Sequence, residues 1–490
     1  MAIAKPLKFD TLVQQLKYRV LKEVAADYWD GTLEEKKEGI PKLISPGPKA
    51  AFRCCVYKER AIAARRVTLA MGGDKSNPNM LEVIEEACDQ CPFGGMEVTD
   101  LCRGCLAHRC AQACRLNAIS FLPDHRASID KTKCVNCGMC AKSCSFGAIV
   151  NRRRPCESAC KINAVKPRED GITSIDEEKC TRCGQCSAAC PFGAIVDKSF
   201  ITNCIDILKG SEEGKAYRTY LIAAPSISSQ FDWAKLTQII TGCKEIGFTN
   251  VIEAAVGADL VAMNEAAELA EKGFATSSCC PAFVRYVKQA YPTLASKVSN
   301  NLSPMAAIGK YIKSTDPTAK CVFVGPCIAK KMEIQDPDVA PYIDCVITFE
   351  ELAVLFEARH VDLASLPESP LDNASYFGRI FARAGGLSEA VKEALTELGS
   401  DFEVKPVAVN GLDQCRMALN QAKIGKLQGN FIEGMACPGG CIGGPSCLLH
   451  EMRDAAQVDK YGKESKEQTI RGAIDAIMAD PRIATKHEEE

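Results

Sequence analysis

The 490-residue sequence has few of the features that mark membrane-spanning, secreted or nucleic-acid-binding proteins. It contains no run of 18 apolar residues, so we expect no membrane span. Its start, MAIAKPLKFDTLVQQLKYRV, interleaves charged and apolar residues and precedes no small-residue cleavage site, so we expect no secretory signal. The formal net charge of −2 supplies no basic field for nucleic acid. We therefore predict a cytoplasmic protein that binds neither membrane nor nucleic acid.

Histidine and tryptophan are scarce, with five and two residues, whereas cysteine is abundant, with 29. The length excludes a minimal disulfide-stapled peptide and favours about two to four domains. A cytoplasmic chain keeps its thiols reduced, so closely spaced cysteines in it bind metal more often than they form disulfides. Metal or redox chemistry is therefore the first hypothesis.

Sixteen of the cysteines lie between Cys88 and Cys190, and half of these form two identical motifs. The motif C-x2-C-x2-C-x3-C is formed by Cys134, Cys137, Cys140 and Cys144, and again by Cys180, Cys183, Cys186 and Cys190. This is the spacing of bacterial ferredoxins, in which three thiolates bind one [4Fe–4S] cluster and the fourth usually binds its neighbour. Structural zinc, the alternative, favours two C-x2-C pairs or mixed cysteine and histidine ligands. The spacing therefore favours iron–sulfur clusters.

The two motifs are 46 residues apart and belong to a longer internal repeat, which indicates a duplicated unit. The same offset relates two further pairs of cysteines, Cys110 to Cys156 and Cys114 to Cys160. Cys102 and Cys105 break the repeat because no cysteine follows them at this offset. A spare C-x2-C pair, Cys88 and Cys91, lies upstream. We predict that an inner unit over 102–144 is inserted into an outer unit.

Four accessory [4Fe–4S] clusters follow if the two motifs of each unit exchange their last cysteines. The predicted inner sets are Cys102, Cys105, Cys110 and Cys144, and Cys134, Cys137, Cys140 and Cys114. The predicted outer sets are Cys88, Cys91, Cys156 and Cys190, and Cys180, Cys183, Cys186 and Cys160. The exact pairing of Cys88 and Cys91 with Cys156 and Cys160 stays open at this point.

Residues 215–450 follow a different pattern. Apolar strands such as TYLIAAPSIS alternate with amphipathic helices, which indicates an α/β fold with mainly parallel sheets flanked by helices. Such sheets bind ligands at loops beyond the carboxyl ends of their strands. Three loops combine cysteine with glycine or proline, and they contain Cys279 and Cys280, Cys327, and Cys437 and Cys441. We predict that these loops converge on one metal site.

Three segments of this region resemble, in order, the three signature motifs of the [FeFe]-hydrogenases. They are TSSCCPAF at 276–283, GPCIAKKME at 325–333 and EGMACPGGCIGG at 433–444. With the ferredoxin-like stretch the resemblance covers roughly residues 50–450, and the stretch RCCVYKERAI is similar to the monomeric group B. The implied fold is a two-lobed α/β catalytic domain joined to an α+β ferredoxin-like domain. Gly325, Phe283 and Pro445 depart from the commonest motifs, which leaves catalytic bias and oxygen tolerance open.

The resemblance implies an H-cluster, in which a [4Fe–4S] cube shares one cysteine sulfur with a diiron unit that carries CO, CN and a dithiolate bridge. It assigns the cube to Cys280, Cys327, Cys437 and Cys441, with Cys441 as the shared ligand. Cys279 stays free as the last protein proton donor. A thiol suits this role because its surroundings set its pKa.

The resemblance also implies a proton path that runs from Cys279 through Glu265, Ser303 and Glu268 to solvent. Glu265 and Glu268 are three residues apart and share one helix face. Taken alone, the two carboxylates are explained equally well as a solvated helix surface.

A second implied group lies around the diiron unit. Lys330 would donate a charge-assisted hydrogen bond to a diiron cyanide, and Glu333 would orient this lysine. Met435 would pack against the diiron unit. The alternative is that Lys330, which is next to Lys331 in the sequence, is an exposed surface charge.

Three cysteines and one basic stretch stay without a firm role. Cys54 and Cys55 are adjacent, and adjacent thiols rarely share a cube, so a structural role is favoured. Cys447 follows the third motif closely and is left open. The stretch 152–154, three arginines, would either dock an acidic partner or form solvated charge.

We expect four segments. They are a helical and linker region over 1–85, a ferredoxin-like domain over 86–205, an H-cluster domain over 215–450 and a helical tail over 451–490. The predicted enzyme is a monomeric ferredoxin hydrogenase that interconverts protons and electrons with H2. Its implied partners are a soluble ferredoxin or flavodoxin and the maturation proteins that build the H-cluster.

Two other functions compete with the hydrogenase. A hydrogenase-like iron–sulfur assembly protein would keep the cube ligands without the diiron chemistry, and the presence of Cys279 and Lys330 counts against it. An H2 sensor would use the same cluster for signalling, but sensors commonly carry an added signalling domain, for which residues 451–490 are too short.

Overall fold

The computed structural model of the chain describes residues 7–89, 91 and 94–480. The chain opens with four helices, α1 (Leu12–Trp29), α2 (Leu33–Lys36), α3 (Ile40–Ile44) and α4 (Val56–Ala70). Helix α1 begins where the Thr11 hydroxyl accepts a hydrogen bond from the Gln14 amide, a standard N-cap. Its apolar face joins the same buried core as the first strands of the α/β region, residues 215–450. The N-terminal helices are therefore packed into the body of the protein.

Short strands and short helices make up the cysteine-rich region. They are β1 (Leu81–Val83), β2 (Gly95–Val98), α5 (Arg109–Gln112), β3 (Ile119–Phe121), β4 (Ala127–Ile129), α6 (Met139–Ser143), β5 (Ile149–Arg152), α7 (Pro155–Ala159), β6 (Val165–Pro167), β7 (Thr173–Ile175), α8 (Gln185–Ala188), β8 (Ile195–Asp197) and α9 (Ile201–Gly210). The strands pair antiparallel, β1 with β8, β2 with β5, β3 with β4 and β6 with β7. The pair β2–β5 lies inside the chain segment that the pair β1–β8 closes. An inserted unit requires such nesting.

The α/β region, residues 215–450, contains two parallel sheets. Its elements are β9 (Thr219–Ala223), α10 (Leu236–Glu245), β10 (Asn250–Glu253), α11 (Ala254–Lys272), β11 (Ala275–Thr276), α12 (Pro281–Ala290), α13 (Pro304–Thr315), β12 (Lys320–Gly325), α14 (Ile328–Glu333), β13 (Cys345–Thr348), α15 (Phe349–Ala358), α16 (Tyr376–Arg379), α17 (Gly386–Glu397), β14 (Pro406–Asn410), α18 (Leu412–Lys423), β15 (Phe431–Met435), α19 (Asp454–Lys463) and α20 (Ile470–Met478). One sheet has the strand order β10-β9-β12-β13 and the other β11-β15-β14. All strand pairs in both sheets are parallel, so each needs a crossover connection, usually a helix.

The three predicted cysteine loops all follow the carboxyl ends of these strands. The loop after β11 contains Cys279 and Cys280, the loop after β12 contains Cys327, and the loop after β15 contains Cys437 and Cys441. Because parallel strands end on a common edge, the loops after β11 and β15 leave the same edge of one sheet, whereas the loop after β12 leaves the other sheet.

A buried network of charges ties the three parts of the chain together. The Lys331 ammonium lies 2.8 Å from Asp197 of β8 and 3.0 Å from Glu351 of α15. Lys17 of α1 lies 2.7 Å from the same Asp197 and 2.8 Å from Glu350. Lys331 is fully buried, so it does not form part of a charged surface.

Substitution of Lys331 by methionine is expected to lower the free energy of unfolding by about 3–5 kcal/mol, because Asp197 and Glu351 then lose a buried cation. Denaturant unfolding of the cluster-loaded protein checks this. Lys244→Met, at an exposed position, is the matched control. Equal stability of the two variants would show that the network contributes little.

No helix in the described ranges is long and apolar enough to cross a membrane.

Candidate active site and cluster-binding sites

The three cysteine loops of the α/β region, which follow β11, β12 and β15, surround a cavity of about 100 Å³. The side chains that carry its chemistry are Cys279, Cys280, Cys327, Lys330, Met435, Cys437 and Cys441. Two of the cysteines occupy helix N-caps, Cys280 that of α12 and Cys327 that of α14. The structure thus brings together the four predicted cube ligands, the free thiol, the lysine and the methionine.

The cysteines of the cavity are chemically suited to an iron–sulfur cube. None of the four predicted ligands forms a disulfide. Burial raises the pKa of Cys327 to about 12, and the thiolates of Cys280 and Cys441 add to this effect. Burial likewise raises the pKa of Cys437, with the same neighbours contributing. Several thiolates can therefore coexist here only beside a strong positive charge, which the irons of a cube would supply.

A site for a single metal ion differs from a cube site because its ligands must converge on one point. Within the described part of the chain, no three histidine, cysteine or acidic side chains are close enough to hold one metal ion. A cube spreads its four thiolates over four irons, so its cysteines do not need to meet at one point.

Lys330 is a buried cation that contributes to the cavity wall. Its ammonium lies 2.6 Å from Glu333, one turn further along α14, and both side chains are about nine-tenths buried. Burial opposes the charged form, but Glu333 and the nearby Cys327 outweigh it and raise the pKa of Lys330. Lys330 therefore presents a positive charge to the cavity, and its interpretation as surface charge is excluded by its burial.

Glu265 is the buried carboxyl group behind the cavity. It is 1% exposed on α11, and its Oε1 accepts hydrogen bonds from the amide and the hydroxyl of Ser278, both at 2.8 Å. Burial raises the pKa of Glu265 to about 7, although the Ser278 bonds act in the opposite direction. Ser278 directly precedes Cys279, and after burial itself the Glu265 charge is the next cause that raises the pKa of the Cys279 thiol.

Glu268 lies on the same helix, closer to solvent. Its Oε2 accepts hydrogen bonds from the Ser299 hydroxyl at 2.6 Å and from the side-chain amide of Asn301 at 3.0 Å. Its Oε1 forms an ion pair with Lys272. Burial acts against its charged form, but the bonds from Lys272 and Ser299 hold the pKa of Glu268 below its usual range. Glu265 and Glu268 thus differ in protonation near neutral pH.

The structure places a serine other than the predicted Ser303 near the two glutamates. Ser299 donates its hydroxyl to Glu268 at 2.6 Å, and it also acts against the burial that raises the pKa of Glu265, so it lies near both carboxyl groups. The Ser303 hydroxyl is buried at the start of α13 and has no hydrogen-bond partner among the described residues. The reason is local pairing: the Ser299 amide donates to the Thr276 carbonyl at 2.8 Å, which fixes this segment beside β11.

Two motif departures have a packing explanation. A Cβ at Gly434 would lie 2.2 Å from the Phe283 ring, so Phe283 fills the space above that glycine. A Cβ at Gly325 would lie 2.7 Å from the Phe323 ring. Met435, which follows Gly434, is 3% exposed and lines the cavity.

Electrostatic influence links many of the ferredoxin-type cysteines to one another. Cys110 is influenced by Cys144 and Cys105, and Cys140 by Cys134 and Cys114. In the outer unit Cys156 is influenced by Cys190 and Cys91, and Cys186 by Cys183, Cys180, Cys160 and Cys156. Thr173 donates its amide to the Cys88 sulfur at 3.3 Å, and its hydroxyl lies 3.8 Å from the Cys156 sulfur. Most of these neighbours belong to one predicted set, but Cys156 and Cys186 belong to different outer sets, so the four sets stay a prediction.

Backbone N–H groups point at the thiols in both copies of the repeat. The Ala118 amide donates to the Cys114 sulfur at 3.3 Å, and 46 residues later the Ala164 amide donates to that of Cys160 at 3.2 Å. Such donors favour the thiolate form that cluster ligands need.

The outer unit packs directly against the cavity. The Gln185 amide lies 3.9 Å from the Cys437 sulfur, and Cys183 raises the pKa of Cys437. Arg285 of α12 donates to the Cys180 carbonyl at 2.8 Å. A cluster on Cys183 would therefore neighbour a cube on Cys437.

Two buried arginines flank the site of Cys88, Cys91, Cys156 and Cys190. Arg66 is 6% and Arg154 2% exposed, and in the described ranges the Nε of each has no hydrogen-bond acceptor. Burial, and then Arg53, lower the pKa of Arg66 to about 10, while Cys190 raises it. Burial raises the pKa of Cys91, and the Arg154 charge acts against this rise. The sequence analysis did not predict that either arginine lies beside a cluster site. Arg154 cannot serve as a docking charge because it is buried.

The remaining cysteines have ordinary surroundings. Cys54 and Cys55 are exposed, and the Cys55 sulfur accepts the Lys58 amide at the start of α4. Cys447 is 1% exposed and donates to the Ile442 carbonyl at 3.3 Å.

Comparison with known proteins gives these sites a context. Residues 217–445 match the family described as iron only hydrogenase large subunit, C-terminal domain. Residues 126–149 and 173–196 match families described as 4Fe-4S binding domains. The chain thus resembles the C-terminal domain of iron only hydrogenase large subunits over 217–445 and contains 4Fe–4S binding motifs.

Individual relatives fall into two groups. Iron hydrogenase 1 of Clostridium pasteurianum is 30% identical over 270 residues, which are 45% of this chain and 47% of that protein. A subunit of the NADP-reducing hydrogenase of Solidesulfovibrio fructosivorans is 31% identical over 42% of this chain and 44% of its own length. A cytosolic Fe-S cluster assembly factor of Candida dubliniensis is 31% identical over 140 residues, 23% of this chain and 24% of that protein. The chain spans about half the length of the curated hydrogenases it matches.

Among solved structures, an [FeFe]-hydrogenase variant of Chlamydomonas reinhardtii aligns with 58% of this chain and 95% of its own, at 20% identity and a TM-score of 0.48.

Proposed function

We propose that this protein is a ferredoxin hydrogenase that interconverts protons and electrons with H2. The observation that carries the proposal is the composition of the cavity, where the four cube ligands meet a fifth thiol, Cys279, and a buried cation, Lys330. A cube alone needs only its four cysteines, so the additional acid and cation mark a site that does more than hold a cube. The cube ligands are Cys280, Cys327, Cys437 and Cys441.

An H-cluster fits this set of residues. When bound, it would supply the redox-active irons at which protons combine with electrons. Cys441, the most exposed of the four ligands, would be shared with the diiron unit. Lys330, held by Glu333, would donate a charge-assisted hydrogen bond to a cyanide, and Met435 would close the apolar side of the cavity.

The chain's own groups provide a proton path. Cys279 faces the cavity and would deliver the last proton, and Glu265, with its pKa near 7, would replace it through Ser278. Ser299 would pass protons between Glu265 and Glu268, which reaches the solvent side. Two links of this path are hydrogen bonds, as proton transfer requires: the Ser278 hydroxyl donates to Glu265 and the Ser299 hydroxyl donates to Glu268.

Electrons would arrive through four accessory clusters in the segment 86–205. The outer unit would hand them to the cavity across the contact between Gln185 and Cys437. We place the H-cluster domain at 215–450 and expect a cytoplasmic protein that exchanges electrons with a soluble ferredoxin or flavodoxin. The subgroup assignment to monomeric group B belongs to this proposal.

An iron–sulfur assembly role is the second candidate, and the similarity to the Candida dubliniensis assembly factor favours it. Infrared spectroscopy separates the two functions. Protein reconstituted with iron and sulfide, treated with a synthetic diiron precursor and freed of excess reagent, should retain CO and CN stretching bands. A matched variant, Lys330→Met, should retain them more weakly. Absence of the bands from a parent protein with a complete cube would favour the assembly role.

The two buried arginines lead to a prediction about the accessory clusters. Arg66→Met should lower the reduction potential of the cluster at Cys88, Cys91, Cys156 and Cys190 by about 60 mV, because a buried cation stabilises the extra electron. A redox titration followed by electron paramagnetic resonance measures this. Arg65→Met, at the exposed neighbouring position, is the control. An unchanged potential in Arg66→Met would show that the arginine does not tune the cluster.

A further inference from the structure

We propose that the inner ferredoxin unit presents a docking face for a small acidic [4Fe–4S] electron-carrier protein. The face consists of Arg115, Leu116, Val135, Met139 and the exposed ligand Cys137, and Lys142 lies on the following turn of α6. The inference rests on the proposed electron path and specifies where electrons enter it.

The internal repeat shows what the corresponding face does in the outer unit. The positions 46 residues after Leu116, Val135, Gly138 and Met139 are Ile162, Thr181, Gly184 and Gln185. All four pack against the α/β region or are buried. Ile162 joins the core around Phe283, Thr181 is 1% exposed, and Gln185 reaches the Cys437 sulfur. In the outer unit this face therefore joins one cluster site to another.

Two equivalent glycines make the comparison direct. Gly184 and Gly138 have the same left-handed backbone, with φ of 76° and 77°, at the start of α8 and α6. A Cβ at Gly184 would collide with Pro445 and Ile328, whereas one at Gly138 would meet nothing within 4 Å. The same local structure is thus covered in one unit and open in the other.

The open face is apolar around a cluster ligand. Leu116, Val135 and Met139 are 49%, 67% and 46% exposed, and Cys137 is exposed between them. With Arg115 they line a cavity of about 390 Å³ beside Cys114, Cys134 and Cys140. Contiguous apolar surface of this kind marks an interaction site, and its position would bring a partner's cluster close to that of the inner unit.

Charge selects the partner. Residues 100–146 contain seven basic and three acidic residues, a net charge of +4 in a chain whose total is −2. Arg115 and Lys142 are exposed. A second copy of this chain would oppose two positive faces, whereas an acidic carrier would be attracted and oriented. The structure therefore favours an acidic redox protein over self-association.

The test is a double charge reversal, Arg115→Glu with Lys142→Glu. The control is Lys423→Glu with Lys426→Glu, which changes the net charge equally at exposed positions of the α/β region. The probe is a recombinant acidic ferredoxin that carries [4Fe–4S] clusters. With the cluster-loaded parent its affinity should be measurable at low salt and should fall as ionic strength rises. The docking variant should bind it about tenfold more weakly, and the control variant as well as the parent.

Hydrogen evolution gives a second readout. The KM for reduced ferredoxin should rise about tenfold in the docking variant, while activity with methyl viologen, a small diffusible donor, stays unchanged. Equal ferredoxin affinity in parent and docking variant, at equal iron content, would overturn the docking face. A parent that evolves no H2 with either donor would instead contradict the proposed function, and the binding measurement would still decide the docking face.

Discussion

Replacement of Cys279 by alanine is expected to lower hydrogen evolution by about a thousandfold or more while leaving the cube intact. Of the five cavity thiols, Cys279 alone is not assigned as a cube ligand, and it directly follows Ser278, whose amide and hydroxyl donate to Glu265. Its replacement removes the thiol that the proposed path uses to deliver protons to the cavity. General acid groups typically contribute about 10²- to 10⁴-fold to a rate.

Two comparisons separate proton donation from packing at this position. Cys279→Ser keeps a side chain of similar size and replaces the S–H by an O–H group, which is a far weaker acid, so we expect it to stay nearly inactive. Cys54→Ala removes an exposed thiol far from the cavity loops in sequence and should retain full activity. Iron content and the cube's electron paramagnetic resonance signal must match the parent in all variants. A Cys279→Ala protein with more than about a tenth of the parent rate would contradict the role of Cys279.

Glu265→Gln is expected to reduce hydrogen evolution by about a hundredfold and to abolish its dependence on pH near neutrality. Burial raises the pKa of Glu265 to about 7, so below this pH the group is protonated and can pass a proton to Cys279. As the pH rises through 7 the carboxyl group ionises, and the parent's rate of H2 evolution should fall. In the direction of H2 oxidation the dependence reverses, because the ionised form accepts the proton. Glutamine holds the same shape but cannot transfer a proton.

The control for this variant lies on the same helix. Glu271→Gln alters an exposed carboxylate of α11 and should leave both the rate and its pH profile unchanged. The measurement is the rate with reduced methyl viologen between about pH 6 and 8, with the donor potential held constant. A profile for Glu265→Gln that still falls near pH 7 would show that another group controls proton delivery.

The residues that hold the candidate clusters are those that sequence reasoning names most directly. Cysteine spacing is a local property, so the loops of Cys134 and Cys180 are visible without any tertiary information. The convergence of the loops of Cys280, Cys327 and Cys437 was predicted from the rule that α/β sheets bind ligands beyond the carboxyl ends of their strands, although the loop of Cys327 leaves a different sheet from the other two. Their convergence on one cavity is seen in the structure.

The groups around the clusters were harder to identify, because they depend on contacts between distant segments. The resemblance implied Ser303 as the hydroxyl relay, whereas the structure, through the pairing of Ser299 with Thr276, places Ser299 beside Glu268. In the sequence Arg154 is one of three consecutive arginines and is expected at the surface. In the structure it is buried, and its guanidinium donates to the Thr173 hydroxyl at 3.4 Å. A charged residue in a polar stretch carries no sequence signal for burial, which is set by what folds over it.

The nested strand pairs also explain why the two ferredoxin units diverge in surface chemistry. The outer unit is closed by β1 and β8 and packs on the α/β region, so its Thr181 and Gln185 are covered. The inner unit is closed by β2 and β5, and its Val135 and Met139 face outward. The two copies of the repeat thus share their cysteine spacing, while the equivalent face is covered in the outer unit and open in the inner unit.

Hydrogen evolution by the parent protein tests the central claim most directly. The protein is reconstituted with iron–sulfur clusters and a synthetic diiron precursor under strict anaerobiosis, and dithionite-reduced methyl viologen supplies the electrons. We predict sustained, catalytic production of H2 that depends on the diiron precursor. Absence of H2 from a preparation with full cluster content and verified diiron incorporation would contradict the hydrogenase function.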